Sequence, residues 1–225
     1  MKLLSVNLGS PRHSDHTSAE GHLTGIDKRP VEGPVAVAAP GPRGTGGSGL
    51  AGDTIVELRS HGGNEQAVYA YAREDLDTWE AELEGRPLRN GVFGENLTTS
   101  GVDVNGALIG ERWRVGAADT GPLLEVCSIR IPCRTFAGWL EERGWIKRFT
   151  ARALSGAYLR VIEPGEVRAG DPVEIVHRPD HGVTVETVFR AVTLRPELLP
   201  EILAAGDALD PEAREKALKR TSRTA

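Results

Sequence analysis

Apolar and polar residues alternate in short runs through most of this chain, and only near the C-terminus does the apolar spacing lengthen to that of helices. Lys2–Leu8 reads as a first strand and Val31–Ala38 alternates again. Leu124, Val126, Ile129 and Ile131 mark a half-buried strand that Pro132 must end, because proline removes a ladder donor and fixes φ. Ala51–Leu58, Ile109–Val115 and Ala169–Val176 echo one another: each places Gly and an acid before alternating positions, a turn feeding a strand. A further strand is expected around Tyr158, and Gly165–Gly170 reads as a hairpin into a last strand ending by His177. Short strands separated by turns predict a mainly antiparallel, barrel-like sheet, since closure removes exposed edges.

Helical spacing appears at Glu74–Glu84, where Leu76, Trp79 and Leu83 share a face and Gly85 is the stop, then at Phe136–Gly144 and Trp145–Leu154. Beyond the linker His177–Gly182, the stretches Val183–Val192, Pro196–Ala204 and Pro211–Arg220 predict a three-helix appendage, with Thr221–Ala225 frayed. The expected division is a mainly β domain over residues 1–178 and a helical extension over 183–220.

Three segments resist either pattern. Gly9–His22 is a polar loop whose His13, His16 and His22 lack the scaffold and spacing of a metal site. Pro40–Gly49 is too glycine-rich to pack and lacks the Lys-Ser/Thr ending of a phosphate-binding loop, so a flexible loop is expected. Asn90–Gly101 gathers hydrogen-bonding groups onto what reads as a turn, able to bind a polar heterocycle or to satisfy its own backbone.

Composition narrows the class. The 225 residues are 39% hydrophobic and 26% charged, with no apolar run approaching the roughly 18 residues of a membrane span and too short an apolar N-terminus for a signal peptide. A cytoplasmic protein with reduced thiols is expected. The net charge of −5 argues against a nucleic-acid surface, yet seven basic against two acidic residues between Arg130 and Arg160 make that segment +5. A phosphate-bearing ligand would suit it.

The candidate chemistry lies in the same segment. Cys133 follows the strand break at Pro132, with Arg130 and Arg134 close by, and neighbouring cations favour the nucleophilic, metal-ligating thiolate. Cys127, inside the strand, reads as a small buried hydrophobe. His61 stands beside the paired glycines Gly62 and Gly63, which let a backbone approach a ligand closely.

Taken in order, Gly52-Asp53, His61-Gly62-Gly63, Gly91-x-Phe93-Gly94-Glu95-Asn96-Leu97-Thr98-Thr99, Arg130-x-Pro132-Cys133 and Gly156-x-Tyr158-x-Arg160-Val161 resemble the MOSC domain (molybdenum cofactor sulfurase C-terminal), in its small stand-alone bacterial branch. Residues 183–220 resemble the three-helix extension often fused to that branch. The resemblance implies a β-barrel-like fold, a molybdenum cofactor (molybdopterin) with Cys133 as metal ligand, and reduction of small N-hydroxylated compounds such as bases and amidoximes. It makes Lys28, Gly62, Gly63, Glu95, Asn96, Arg130 and Arg134 candidates for cofactor contacts and His61 an active-site residue. Electrons would come from a separate donor protein, since two cysteines do not hold an iron–sulfur cluster in the usual four-thiolate way. Pyridoxal phosphate is not expected, with only Lys28 and Lys147 between Leu3 and Asp210. Two alternatives stand beside this reading: a sulfur carrier using a Cys133 persulfide, and a non-enzymatic binding module docking through the helical appendage.

Overall fold

The computed structural model describes residues 1–224, and Ala225, part of the segment expected to fray, lies outside them. Along the chain run β1 (Lys2–Gly9), β2 (Arg12–His13), β3 (Leu23–Thr24), β4 (Lys28–Pro30), β5 (Val35–Val37) and β6 (Val68–Ala72), then α1 (Arg73–Glu82), β7 (Leu97–Ser100), β8 (Arg112–Val115) and β9 (Leu123–Ile129). They are followed by α2 (Arg134–Leu140), α3 (Trp145–Arg152), β10 (Ala157–Glu163), β11 (Gly165–Val167), β12 (Val173–His177), α4 (Val185–Thr193), α5 (Leu199–Ile202) and α6 (Pro211–Thr224).

One sheet carries the strand order β12-β8-β9-β10-β6-β7-β1-β4, antiparallel except for the parallel pair β6 and β7. It closes on itself. Lys2 bridges Pro172, the Leu3 N–H donates to the Asp171 carbonyl at 2.8 Å, and the Val173 N–H donates to the Met1 carbonyl at 3.1 Å. These bonds join β1 to the entry of β12, which removes the free edges that an open sheet would present.

Against one end of the barrel, α1, α2 and α3 bury a cluster of rings. Phe93 lies 5.1 Å, centroid to centroid, from Phe136 and 5.4 Å from Trp145, while Trp79 lies 4.6 Å from Trp145. Burying such rings is worth about 3–5 kcal/mol each against truncation to alanine. Because Phe136 sits in the first turn of α2, this cluster fixes where that helix begins.

The C-terminal helices share the barrel's core. Thr184 caps α4 by accepting from the Thr187 N–H at 3.0 Å, and the Ile109 N–H donates to the Val183 carbonyl at 3.0 Å. Val183, Val185, Val188 and Phe189 belong to the same buried cluster as Trp113 and Phe149. No helix among the described residues is long and apolar enough to cross a membrane.

Several local expectations change. Leu97–Ser100 is a strand between β1 and β6, because Leu97, Thr98 and Thr99 are buried on both sides of the sheet and leave no alternation to read. The same complete burial hides β6. Ala51–Leu58 forms no strand: its backbone makes single bonds, such as Ala51 N–H to the Ala36 carbonyl at 2.9 Å and Thr54 N–H to the Gly9 carbonyl at 3.1 Å. Gly165–Val167 pairs with β5 instead of folding back on β12. The middle C-terminal helix breaks into a 3-10 turn, the short α5 and a second 3-10 turn, kinked at Gly206. The last helix, expected to fray from Thr221, continues to Thr224.

Candidate functional site

Strand β9 ends at Ile129, and the next four residues deliver the thiol. Cys133 occupies the N-cap position of α2, extended at φ −117°, and its Sγ accepts from the Phe136 N–H at 3.5 Å. A helix N-terminus presents unpaired N–H groups, and the thiol caps one of them. The thiol is half-buried and faces a cavity of about 410 Å³.

That cavity gathers much of the predicted set. Lys28, His61, Gly62, Asn96, Arg130, Cys133 and Arg134 all line it. Three cations thus meet one thiol, and Glu57 is the single carboxylate among the lining residues. Leu23, Ile26, Ile55, Val56 and Ile131 supply apolar wall, and His16–Ala19 crosses as a strap tied by the Thr135 hydroxyl donating to the His16 carbonyl at 3.4 Å. The sequence predicts only a polar loop there.

Arg130 is the most exposing feature of the electrostatics, although only 8% of its own surface is accessible. Its Nη1 donates to the Tyr158 hydroxyl at 3.3 Å, and its guanidinium lies 5.0 Å from the Phe136 ring centroid and 5.7 Å from that of Tyr69. No carboxylate pairs with it among the described residues, and its buried Nε makes no hydrogen bond. A buried guanidinium held by rings and a phenol, with a donor left over, is complementary to an anion.

Lys28 is differently served. Its Nζ lies 2.5 and 2.6 Å from the two carboxylate oxygens of Asp53, which also accepts from the Gly9 N–H at 2.7 Å and from Asn96 Nδ2 at 2.9 Å. Burial pushes Lys28 down, against the pull of Asp53, and nearby Arg130 adds to the depression. Asp53 is the acid of the first Gly-acid echo, so the echo marked a real anchor while mistaking its secondary structure.

His61 makes its position felt through charge. Burial, reinforced by Arg130, pushes it down to about 4 against the opposing influence of Glu57, so it is a neutral imidazole at neutral pH. A neutral ring donates through one nitrogen and accepts through the other.

Two predicted contacts fall elsewhere. Glu95 is wholly buried away from the cavity lining, accepting from the N–H groups of Gly91 and Phe93 and from the Thr98 hydroxyl at 2.9 Å, with burial raising its carboxyl. It shapes the loop that presents Asn96. Gly63 turns away as well: at φ 81° it packs on Arg43, where an added Cβ would lie 2.6 Å from the Arg43 nitrogen. Cys127 is buried, donates to the Glu65 carbonyl at 3.3 Å, and is pushed up to about 12 by desolvation. Among the described residues no three His, Cys, Asp or Glu side chains converge in a way that would hold a metal ion. A metal in the cavity would therefore depend on ligands carried in with it.

The residues missed from sequence are Tyr158, Tyr69, Asp53, Glu57, Ser60 and Gln66. Tyr158 stood in the Gly-x-Tyr-x-Arg-Val run, but nothing in a strand's alternation says which face meets a cavity.

Comparison with known proteins fits this geometry. Residues 57–174 match the model of the MOSC domain. A Bacillus subtilis (strain 168) protein, YflK, is 32% identical over 188 residues, spanning 84% of this chain and 79% of its own length. A protein of Gibberella moniliformis named "Reductase" is 29% identical over 178 residues, which are 78% of this chain but 30% of that longer protein. The crystal structure of YiiM from Geobacillus stearothermophilus superposes with a TM-score of 0.74 at 27% identity, covering 97% of this chain and 98% of that one. With its barrel, its cavity and a family match over more than half its length, the chain belongs to the MOSC domain family.

Proposed function

We propose that this protein is a molybdenum-cofactor-dependent reductase of N–O bonds in small N-hydroxylated compounds, with Cys133 as the protein's ligand to the metal. The observation that carries the reading is the pairing, in one cavity, of a half-buried Cys133 with a buried Arg130 that lacks a carboxylate partner. A phosphorylated cofactor already bearing sulfur donors needs one soft protein ligand and a cationic cup, and this cavity offers both.

The residues fit the group. Cys133 would ligate molybdenum, and Arg130, with Arg134 and Lys28, would hold the anionic portion while Asn96 offers an amide. When bound, the cofactor supplies two-electron reduction of the N–O bond. The chain's own residues do the rest. Asp53 fixes the Lys28 ammonium and the Asn96 amide in one orientation. The neutral His61 can donate to, or accept from, a substrate placed over the thiol. Tyr158 accepts from one arm of Arg130 and holds the guanidinium in the cavity wall. The apolar strip from Leu23 to Val56 excludes water from one side of the cavity.

Reduction of an N-hydroxyl to an amine consumes two electrons and two protons and releases water, so a donor must meet the site. A separate electron-donor protein fills that role in this reading. The test is elemental analysis after expression in a cofactor-competent host. Stoichiometric molybdenum in wild type, absent from Cys133→Ala, is the expected result. A wild type without molybdenum but with cyanide-labile sulfur on Cys133 would overturn it in favour of a persulfide carrier.

A further inference from the structure

The glycine-rich segment Pro40–Gly49 is interleaved with the turn that carries His61. The Gly63 N–H donates to the Gly47 carbonyl at 3.1 Å, the Gly44 N–H to the Leu58 carbonyl at 3.1 Å, and the Gly41 N–H to Asn64 Oδ1 at 3.0 Å. Gly62 and Gly63, both at positive φ, leave no room for a Cβ against Gly46, Gly47 and Arg43. Glycine on both sides lets two backbones touch, which is why this segment packs when its composition predicted mobility.

From its seat on Gly63, Arg43 reaches the opposite way. Its Nη1 lies 2.8 Å from Glu212 and its Nη2 4.0 Å from Asp210. Asp210 caps α6, accepting from the N–H groups of Glu212 at 2.9 Å and Ala213 at 3.1 Å, and its own N–H donates to the Cys127 carbonyl at 3.0 Å. The chain of contacts runs unbroken from the cavity wall to α6 and back to β9.

We infer that Arg43 is a positioning residue that seats the His61 turn against the cavity by tying the glycine loop to the first turn of α6. The C-terminal helices are then part of the site's construction. Every contact lies within the protein itself, so the inference stands apart from the identity of the group that fills the cavity. The exposed ion pair to Glu212 contributes little stability by itself; its effect is to fix direction. Arg43 also adds to the depression of His61, after burial and Arg130.

The test uses isotope-labelled protein prepared without cofactor. In Arg43→Ala the Gly63 amide exchanges about tenfold faster or more, as expected of a local opening, and the His61 imidazole resonances move, while amides in β9 and β10 keep their protection. Arg43→Lys, which retains a cation near Asp210 and Glu212, recovers part of both signals. Should Arg43→Ala fail to fold, Glu212→Lys repels Arg43 from a solvent-exposed position and produces the same local signature. Unchanged Gly63 exchange and His61 resonances, or protection lost evenly across the barrel, would overturn the proposal.

Discussion

Two arginines and two cysteines divide the neighbourhood of β9 into a settled half and an unsettled one. In the settled half, Arg160 has an acid: its buried Nε makes no hydrogen bond, like that of Arg130, but it faces Glu125 at 3.6 Å and donates to the carbonyls of Asp207 and Ala208 at 3.3 and 3.1 Å, while Cys127 gives its proton to the Glu65 carbonyl. In the unsettled half, Arg130 has a phenol and two ring faces but no acid, and Cys133 has only an N–H behind it. Residue types are the same; their partners differ. Folding ordinarily supplies a counter-charge to a buried cation, and in the proposed reading the half that lacks one receives it from outside.

The sharpest way to break this contrast is to remove each thiol in turn. Cys133→Ala is expected to lose its molybdenum entirely, whereas Cys127→Ala keeps it and loses only about 1 kcal/mol of stability, the worth of a buried hydrogen bond; metal analysis and thermal melts check the pair. Equal metal loss in both would erase the distinction.

Thiol reactivity is the next largest difference. At pH 8 a group pushed up to about 12 holds very little thiolate, so native protein should show one fast thiol toward iodoacetamide and one that reacts on the order of a thousandfold more slowly, only through opening of the structure. Peptide mapping should place the fast label on Cys133.

The arginines give a smaller, opposite-signed pair. Arg160→Met leaves Glu125 to Arg112 alone, strands two carbonyls, and is expected to cost about 1–3 kcal/mol. Arg130→Met in cofactor-free protein removes a buried charge that nothing neutralises, and should leave stability unchanged or raised by about 1 kcal/mol, while weakening binding of inorganic phosphate roughly tenfold or more. Equal destabilisation by both would mean that Arg130 is structurally satisfied.

Acidity distinguishes the halves least. His61 has a folded pKa of about 4, below the 6.5 of a free imidazole, so the unfolded chain binds its proton first. Its contribution is complete above pH 6.5 and lost as pH falls toward 4. The wild type should therefore lose about 1–3 kcal/mol relative to His61→Gln across that window, read from urea melts at pH 7 and pH 4.5. A constant gap between the two proteins would show His61 to be solvated.

How legible the molecule was can be seen in individual stretches. Alternation placed β1, β8, β9 and β12, and the Arg-x-Pro-Cys run placed the thiol at a strand end beside a buried arginine. The same method missed β6 and β7 because strands covered on both faces show no alternation. It marked Gly62 and Gly63 together as a place where a backbone meets a ligand; Gly62 lines the cavity, and Gly63 packs on Arg43.

By itself the sequence determined which residue types were available and where strands must stop: Pro132 ends one, Cys133 follows, and the family-like motifs come in a fixed order. Only the tertiary structure decided which of those residues meet. The closure of β1 onto the entry of β12 shapes the barrel, Asp53 orients Lys28, and Arg130 is left without an acid. The physical reason is that local pattern governs one chain segment at a time, whereas charge balance and burial in a cavity depend on segments that lie far apart in the chain and come together only on folding.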